Sequence, residues 1–469
     1  MSKHTVEKIG GTSMSNFDLL INNIFIGNRK GKELYNRMFV VSAYGGITNM
    51  LLEHKKNGAP GVYALYAQND PAWRTALKEV ENEMCRINSR LAEKASLDLE
   101  KAYEFVKFRI SGLEACLSDL KRLCSYGHFD LADYLPACRE MLSAVGEAHS
   151  AFNSTLILQS MGVNAKFVDL SGWKEEETYQ MDEKIRRALK EIDVKNELPV
   201  ITGYTKCKEG IMNLYDRGYS EITFSKLAII SKAKEGIIHK EFHLSTGDPK
   251  LIGEDKVRII GETNFDIADQ LADLGMEAIH PRASKEMAAN NISIRVKNAF
   301  EPDHPGTTID TAYVSPEPRV EMVLGKKDMM AIEVYDPGMV GEPGYDYKIL
   351  EYLDKHRVSY IAKSTNANTI THYVNASCKN LERCLNDIKS CFKEGRIRTE
   401  PIAMIAVTGS NMKEPGLLAK ASQALAASDV NILGFSQCMR QVNMQFIITP
   451  EDFDHGIKTL HQALVEEYK

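Results

Sequence analysis

The chain has 469 residues, more than the roughly 250–300 that one hydrophobic core usually serves, so we expect at least two domains. Hydrophobic residues make up 43 % of the sequence and charged residues 26 %, which argues against a fibre or a disordered chain. The net charge of −6 gives no overall positive field that would attract nucleic acid or anionic lipid.

The sequence carries no sign of export or membrane insertion. Its first residues lack the apolar segment of a signal peptide, and no apolar run approaches the ~20 residues that span a bilayer. The nine cysteines form no C-x-x-C pair, which is typical of reduced thiols rather than disulfides or a zinc site. We expect a soluble, cytoplasmic protein with no metal site built from its own side chains and no nucleic-acid or membrane partner.

The N-terminal part begins with two strands that each end in glycines. An alternating run at residues 4–9 stops at Gly10-Gly11 and passes into a helix-like stretch. A second apolar run, Met38–Ala43, also ends in a glycine pair. Both loops are predicted to lie at one edge of a parallel sheet.

The segment from about residue 70 to residue 124 is predicted to form long helices, because apolar residues recur there at spacings of three and four. Asp70 and Pro71 indicate a helix start, with aspartate as N-cap and proline at the first helical position. An antiparallel helical hairpin packed on the sheet is one interpretation. A coiled-coil arm between subunits is the other.

The rest of the chain divides into a layered domain and a tail. Further strands are predicted at Lys166–Asp169, Pro199–Ile201, Gly236–Glu241 and Ile292–Val296. Alternation with helices indicates an α/β/α layered domain, and the proline-dotted stretch 302–318 is interpreted as a linker. Two units of β-α-β-β type follow, which is typical of a ligand-sensing tail. The predicted boundaries are 1–310 for the first domain, 311–325 for the linker, and 326–398 and 399–469 for the two small domains.

The first glycine loop is a candidate phosphate site. Successive backbone N–H groups of Gly10–Ser13, next to a helix start, favour an anion, and Lys8 adds a positive charge. The loop lacks the GxxxxGK[ST] spacing of a Walker loop. The alternative is a tight turn that binds nothing.

A second group of residues suits an amino acid. Glu147 follows Gly146 at the start of an apolar helix, and Arg217 and Glu221 flank a glycine and Ser220. An arginine fork suits a carboxylate, and carboxylates can hold an ammonium group, so a zwitterion fits this mixture. For Arg217 and Glu221 the alternative is an exposed ion pair on a helix.

Seven motifs occur in the order found in aspartate kinases. They are K-I-G-G-T-S at 8–13, V-V-S-A-Y-G-G-I-T-N at 40–49, G-E at 146–147, R-G-Y-S-E at 217–221, T-G-D-P-K at 246–250, G-M-E-A-I-H-P at 275–281 and I-R-V-K-N-A-F-E-P-D-H-P-G-T at 294–307. The chain therefore resembles that family over nearly its whole length. The resemblance implies a three-layer α/β/α amino-acid-kinase domain of the carbamate-kinase-like type, followed by two ferredoxin-like α+β ACT domains.

The resemblance also implies an activity, phosphorylation of the β-carboxylate of L-aspartate by ATP with Mg²⁺ to give 4-phospho-L-aspartate and ADP. This reaction is the first step toward lysine, threonine and methionine, or toward ectoine. The alternatives are a kinase with another acyl acceptor such as glutamate, and a non-catalytic regulator that senses an amino acid. The implied partners are a lysine or threonine effector at the ACT domains and further copies of the chain in a homodimer or larger homo-oligomer.

The motifs carry site roles to named positions. The nucleotide positions are Lys8, Gly10, Gly11, Ser13, Thr246, Asp248 and Lys250. The substrate positions are Thr48, Glu147, Tyr204, Arg217, Ser220 and Glu221. Lys8 and Arg217 are the catalytic candidates, Glu147 would hold the amino group of aspartate, and Arg217 would take its α-carboxylate. The effector is expected at the 339–346 loop or near 364–366.

Four positions depart from the family pattern. Tyr219 replaces the second glycine of the family's R-G-G-S-D motif, and Glu221 replaces its aspartate. Ser245 stands where a tyrosine is common, and Lys250 replaces an arginine, which removes a stacking surface and a bidentate fork. With the long helical segment, these departures resemble the aspartate kinase variant that accompanies ectoine biosynthesis.

Overall fold

The computed structural model describes residues 4–55, 57–215, 218–274 and 279–467, and the chain divides into two compact units. The first unit comprises Met1–His243 and Ile279–Thr311, and the second comprises Leu244–Ala278 and Ala312–Lys469. Among the described residues, no helix has the length and apolar character needed to cross a membrane.

A mainly parallel sheet forms the centre of the first unit. Its strands are β1 (Thr5–Ile9), β2 (Arg37–Val41), β3 (Ala165–Val168), β4 (Leu198–Thr202), β5 (Glu235–Lys240), β7 (Ile294–Asn298) and β8 (Thr307–Asp310), while β6 (Glu262–Asn264) belongs to the second unit. They lie in the order β3-β4-β2-β1-β5-β7-β8, and only β8 runs antiparallel to its neighbour β7. Every residue of β2 and β4 is buried, as expected for strands covered on both faces.

The helices that the structure describes in the first unit pack on this sheet and on one another. They are α1 (Gly11–Met14), α2 (Phe17–Leu20), α3 (Ile47–Leu51), α4 (Val62–Ala67), α5 (Trp73–Ala95), α6 (Leu99–Cys124), α7 (Leu131–Ser160), α8 (Met181–Lys190), α9 (Ile211–Tyr215), α10 (Tyr219–Ser231) and α13 (Pro281–Ala289), whereas α11 (Pro249–Ile252) and α12 (Phe265–Asp273) belong to the second unit. The hairpin interpretation matches α5 and α6, which pack on each other within the chain, and α6 also packs on α7.

Two local expectations are wrong. The helix expected at Pro71 begins at Trp73, because the Asp70 carboxylate accepts a hydrogen bond from the Ala72 N–H and forms a turn ahead of the helix. The stretch interpreted as a linker contains β8, whose short pairing with β7 has no pattern of its own in the local sequence.

An antiparallel sheet of six strands forms the second unit. Its strands are β9 (Met322–Tyr335), β10 (Tyr360–Thr365), β11 (Thr369–Asn375), β12 (Arg396–Thr408), β13 (Gly434–Gln437) and β14 (Asn443–Ile448), in the order β10-β11-β9-β12-β14-β13. Its other helices are α14 (Tyr345–Lys355), α15 (Leu381–Cys391), α16 (Leu417–Ala427) and α17 (Phe453–His461).

The two predicted β-α-β-β units share this sheet. β9 and β12 pair from Tyr335 opposite Arg396 to Met322 opposite Thr408. The C-terminal part of β9 packs with α14 and α15 in one core, and the C-terminal part of β12 packs with α16 and α17 in another. The predicted boundary after residue 398 therefore falls inside β12, and the predicted linker at 311–325 runs into β9.

Residues 244–278 were expected in the first domain, but they cluster with the second unit. Ile267 and Leu271 of α12 pack in one apolar cluster with Leu324 of β9 and Met404 of β12. The Val323 N–H also donates to the Thr246 carbonyl at 2.8 Å. These contacts join parts of the chain that are distant in sequence.

Candidate active site

Two glycine loops lie side by side after β1 and β2, the neighbouring parallel strands of the first unit. A Cβ atom at Gly11 would lie only 2.7 Å from the Ala43 carbonyl oxygen, so glycine is what allows the loops to approach. The Gly45 N–H donates to the Ser15 hydroxyl at 2.9 Å, which joins the second loop to the first. Gly46 precedes α3 with a φ of 90°, a left-handed conformation that favours glycine.

Lys8 lies at the end of β1 and is only 8 % exposed. Its Nζ donates to Glu221 Oε1 at 3.2 Å, and the His280 N–H donates to the other oxygen of Glu221. Burial alone would raise the pKa of Glu221, but the charges of Lys8 and Lys240 lower it below its ordinary value. Glu221 therefore stays ionised and holds the Lys8 ammonium group in place.

Glu147 is a second buried carboxylate, and its surroundings have the opposite effect. It lies on α7 and is 2 % exposed. Burial raises its pKa well above the ordinary value, while the Lys8 charge and a hydrogen bond from the Tyr219 side chain partly oppose that shift. Its Oε2 has no hydrogen-bond partner among the described residues. A cationic donor from a ligand would complete this carboxylate.

Small residues bring Ser220 and the end of β4 against Glu147. A Cβ atom at Gly203 would lie 2.7 Å from Ser220 Cβ and 3.1 Å from Glu147 Oε2. The Ser220 hydroxyl is 3.3 Å from that of Ser42, which follows β2. Ser42 was not among the predicted site residues, although it lies in the S-A-x-G-G-x-T-N motif that could have indicated it.

Two buried tyrosines form a wall beside Glu147. The rings of Tyr204 and Tyr219 meet edge to face, with centroids 5.8 Å apart and an interplanar angle of 77°. The Tyr204 hydroxyl donates to Glu140 Oε2 at 2.7 Å. Glu140 Oε1 accepts the backbone N–H groups of Met212 and Asn213 in α9, so this wall is tied to a helix. Glu140 was likewise not predicted as a site residue.

Apart from Arg217, the remaining predicted residues of the first unit lie in or beside the glycine loops. The Ser13 hydroxyl donates to Glu241 Oε1 at 3.1 Å, which places a carboxylate beside the predicted phosphate loop. Gly10 is the N-cap of α1, and Thr48 is half-buried on α3. Arg217 lies outside the described residues, so its role stays a prediction.

The three other nucleotide positions lie in the second unit. The Thr246 hydroxyl is 2.9 Å from His461 Nε2, and Asp248 accepts the Lys250 N–H at the start of α11. Their predicted contact with nucleotide stays a prediction. Within the described ranges there is no cluster of three or more His, Cys, Asp or Glu side chains that could hold a metal ion.

Residues 3–298 match the amino acid kinase family, and residues 405–464 match the ACT domain. The aspartate kinase Ask_Ect of Stutzerimonas stutzeri strain A1501 is 48 % identical to the chain over 465 residues, which cover 99 % of this chain and 98 % of that protein. The chain belongs to the aspartate kinases. The predicted family and the predicted order of a kinase domain and an ACT-type tail are thereby confirmed.

Other aspartate kinases resemble the chain at lower identity. The aspartokinase of Candida albicans is 22 % identical over 513 residues, covering 98 % of this chain and 90 % of that protein. The crystal structure of Escherichia coli aspartokinase III in complex with aspartate and ADP has a TM-score of 0.74 at 19 % identity and covers 98 % of this chain and all of that one. The complex of the same enzyme with lysine and aspartate has a TM-score of 0.72 at 18 % identity, with 99 % of this chain covered. These structures share the fold of the chain.

Proposed function

We propose that the chain transfers the γ-phosphoryl group of ATP to the β-carboxylate of L-aspartate, giving 4-phospho-L-aspartate and ADP. The observation that carries this proposal is the pair of buried carboxylates around Lys8. Glu221 is ionised and holds the lysine, whereas Glu147 keeps one oxygen with no partner among the described residues. Lys8, a cation suited to phosphoryl oxygens, thus lies near Glu147, an acceptor suited to an ammonium group.

The acceptor carboxylate needs no general base, because it is already ionised at neutral pH. The protein must instead bring two anions together and stabilise the charge that spreads over the phosphoryl oxygens. We assign this task to Lys8 and to the backbone N–H groups of Gly10–Ser13. Because Glu221 fixes the Lys8 ammonium group before the substrates bind, little reorganisation is needed during the reaction.

Mg²⁺ fits this site as an ion carried on the nucleotide phosphates. The hydroxyl of Ser13 and the carboxylate of Glu241 are the oxygen donors beside the loop that could assist it. When bound, Mg²⁺ supplies positive charge to the phosphates.

Aspartate would bind with its ammonium group on Glu147 and its α-carboxylate on Arg217. Glu147 is buried and has an oxygen with no partner among the described residues, which suits this role, and the role of Arg217 rests on its motif. Ser220 and Thr48 would contact the substrate, and Tyr204 would form the wall of the pocket. The nucleotide roles of Thr246, Asp248 and Lys250 rest on the T-G-D-P-K motif.

A hydroxamate assay tests the reaction, because hydroxylamine traps an acyl phosphate. The assay uses ATP and Mg²⁺ with L-aspartate and L-glutamate in parallel. Signal with aspartate alone supports the proposal. Signal with glutamate alone means that Tyr219 and Glu221 have changed the acceptor, and ATP binding without either signal points to a regulator.

We also propose that the tail binds an amino acid and joins subunits. The support is the ACT match at 405–464 and the lysine complex of E. coli aspartokinase III. The 339–346 loop is the proposed effector site, with glycines of positive φ at Gly341 and Gly344. Calorimetric titration with lysine and with threonine tests the effector. Sedimentation that gives only a monomer at micromolar concentration would contradict a homodimer.

The pathway served is part of the same proposal. The similarity to Ask_Ect favours the ectoine-associated branch over the supply of lysine, threonine and methionine. Deleting the gene and testing which nutrient or osmolyte restores growth would separate the two.

A further inference from the structure

We propose that Glu140 is a positioning residue of the aspartate pocket. Its carboxylate ties two parts of the pocket wall, Tyr204 after β4 and the start of α9, to the helix that carries Glu147. This inference rests on the proposed function, in which Glu147 holds the substrate ammonium group. Glu140 acts through these neighbours and does not itself contact the substrate.

The first step of the argument is the relation between Glu140 and Glu147. Both lie on α7, seven residues apart. Seven residues make almost two full turns of an α-helix, about 10 Å along its axis, so the two side chains lie on the same face. The Tyr204 hydroxyl donates to Glu140 Oε2 at 2.7 Å, and a Cβ atom at Gly203 would lie 3.1 Å from Glu147 Oε2. One face of α7 therefore supports the segment after β4 at two points.

The second step is the use of the Glu140 oxygens. Oε2 accepts the Tyr204 hydroxyl, and Oε1 accepts the N–H groups of Met212 at 2.8 Å and Asn213 at 3.2 Å. These N–H groups belong to the first turn of α9, where backbone donors have no acceptor within their own helix. An added Cβ at Gly210 would lie 3.0 Å from Oε1, so the carboxylate also packs closely on the backbone that leads into α9. Both oxygens of Glu140 are thus bound by the protein.

The third step is the position of the groups that Glu140 holds. The Tyr204 ring is 3 % exposed and packs edge to face on Tyr219. The preceding residue, Gly203, lies against Ser220, since an added Cβ would be 2.7 Å from Ser220 Cβ. α9 ends two residues before the R-G-Y-S-E motif at 217–221 begins. Small displacements of positioned groups cost large factors in rate, so release of this wall should weaken the binding of aspartate in particular.

The variant Glu140→Ala removes all three hydrogen bonds and tests this inference in the full-length enzyme. It should raise KM for aspartate about tenfold, because the wall opposite Glu147 is no longer fixed. KM for ATP should change less than about twofold, since the glycine loops are joined by a contact of their own, from Gly45 to Ser15. Initial rates of hydroxamate formation, with each substrate varied in turn, measure both constants.

Glu140→Gln is the conservative variant. Its amide oxygen can still accept the N–H groups of α9, and its amide nitrogen can donate to the Tyr204 phenol oxygen. It should therefore keep KM for aspartate within about threefold of the unchanged enzyme. An increase as large as that of Glu140→Ala would mean that these hydrogen bonds do not matter, which contradicts the inference.

Asp98→Ala is the matched control. It also removes a carboxylate that accepts a backbone N–H at the start of a helix of the first unit, that of Lys101 in α6 at 3.2 Å. It should leave both KM values unchanged. If Glu140→Ala behaves like this control, the inference is overturned.

A double variant separates positioning from a general loss of stability. Tyr204→Phe removes only the hydroxyl that Glu140 accepts. If Glu140 acts through Tyr204, adding this change to Glu140→Ala should raise KM for aspartate by less than the product of the two single increases. A full product would mean that the two residues act independently, and the proposed tie would be wrong.

Two further measurements keep the outcome decisive. Glu140→Asp shortens the side chain by one methylene, and it takes the place of Glu140→Ala if that variant fails to fold. It should raise KM for aspartate in the same direction. If Glu147→Gln raises KM for aspartate and no Glu140 variant does, only the role of Glu140 fails. If Glu147→Gln leaves KM for aspartate unchanged, the proposed function of Glu147 fails and the inference falls with it.

Discussion

Each unit contains a lysine paired with a carboxylate beside a third polar side chain, of which at least one atom has no hydrogen-bond partner among the described residues. In the first unit the pair is Lys8–Glu221, with side chains only 10 % and 14 % exposed, and the third group is the acidic Glu147. In the second unit the pair is Lys363–Asp346, with side chains 35 % and 36 % exposed, and the third group is His372.

The difference lies in charge. His372 is fully buried, and burial lowers its pKa to about 4, so it is neutral when Lys363 and Asp346 balance each other. In the first unit an ionised Glu221 already balances Lys8, and burial favours the neutral form of the second carboxyl group, Glu147. We propose that a ligand ammonium group completes the first arrangement, whereas the second is balanced within the protein. Substitutions should therefore affect chemistry in the first case and stability in the second.

The largest effect is expected for Lys8→Ala. It removes the cation that faces the phosphoryl oxygens and should lower kcat by roughly 100-fold or more, with the fold retained. The measurement is hydroxamate formation at saturating ATP and aspartate, with circular dichroism to check folding. Lys78→Ala, which removes an exposed lysine of α5, is the control. Near-normal turnover in the Lys8 variant would rule out its assigned role.

The next effect is expected for Arg217→Ala. Loss of a charge-assisted fork to the α-carboxylate should raise KM for aspartate by about tenfold or more and KM for ATP far less. Initial rates with each substrate varied in turn measure the two constants. The control Arg187→Ala removes an exposed arginine of α8 that pairs with Glu183. Equal increases in both constants would count against a carboxylate contact.

A smaller effect concerns acid stability and His372. Its pKa is about 4 in the folded chain and about 6.5 when unfolded, so the unfolded chain binds the extra proton and stability falls as pH drops below 6.5. Between pH 6.5 and 5.5 this histidine should cost about 1 kcal/mol of stability. The groups that face it are Asp346, Lys363 and the Tyr360 ring.

Urea unfolding at a series of pH values checks this dependence. His372→Leu should flatten the decline of stability over that range, while His128→Gln, at an exposed histidine, should leave it unchanged. An equally steep decline in the His372 variant would show that this imidazole does not contribute.

The smallest effect is expected for Lys363→Ala. Because both members of the Lys363–Asp346 pair are about one-third exposed, the loss should be below about 1 kcal/mol in urea unfolding at neutral pH. A loss above about 2 kcal/mol would mean that this pair behaves like a buried one. That result would remove the contrast with Lys8–Glu221.

The sequence predicts those parts of the site that depend on neighbouring residues. Apolar runs that end in glycines identify β1, β2 and their loops, because strand and turn preferences are local. Lys8, Glu147 and Ser220 follow from motifs. Ser42 and Glu140 were missed because their partners are distant in sequence, Ser220 for the first and Tyr204 for the second.

Long-range pairing also explains which parts of the fold were not predicted from the sequence. β8 is four residues long, and its pairing with the distant strand β7 is not visible in its own sequence. Residues 244–278 look like part of an α/β domain by their order along the chain. Their apolar side chains nevertheless pack with β9 and β12, and no local sequence pattern predicts which domain they join.

The sharing of β9 and β12 has a consequence for the tail as a module. The two ends of each strand pack in the cores of different β-α-β-β halves. Neither half therefore contains a complete sheet by itself. A chain cut after residue 398 would leave the N-terminal part of β9 as an unpaired edge, the kind of surface on which proteins aggregate. Natural recombination or engineering can therefore move the two halves to another protein together, but it cannot transfer one of them alone.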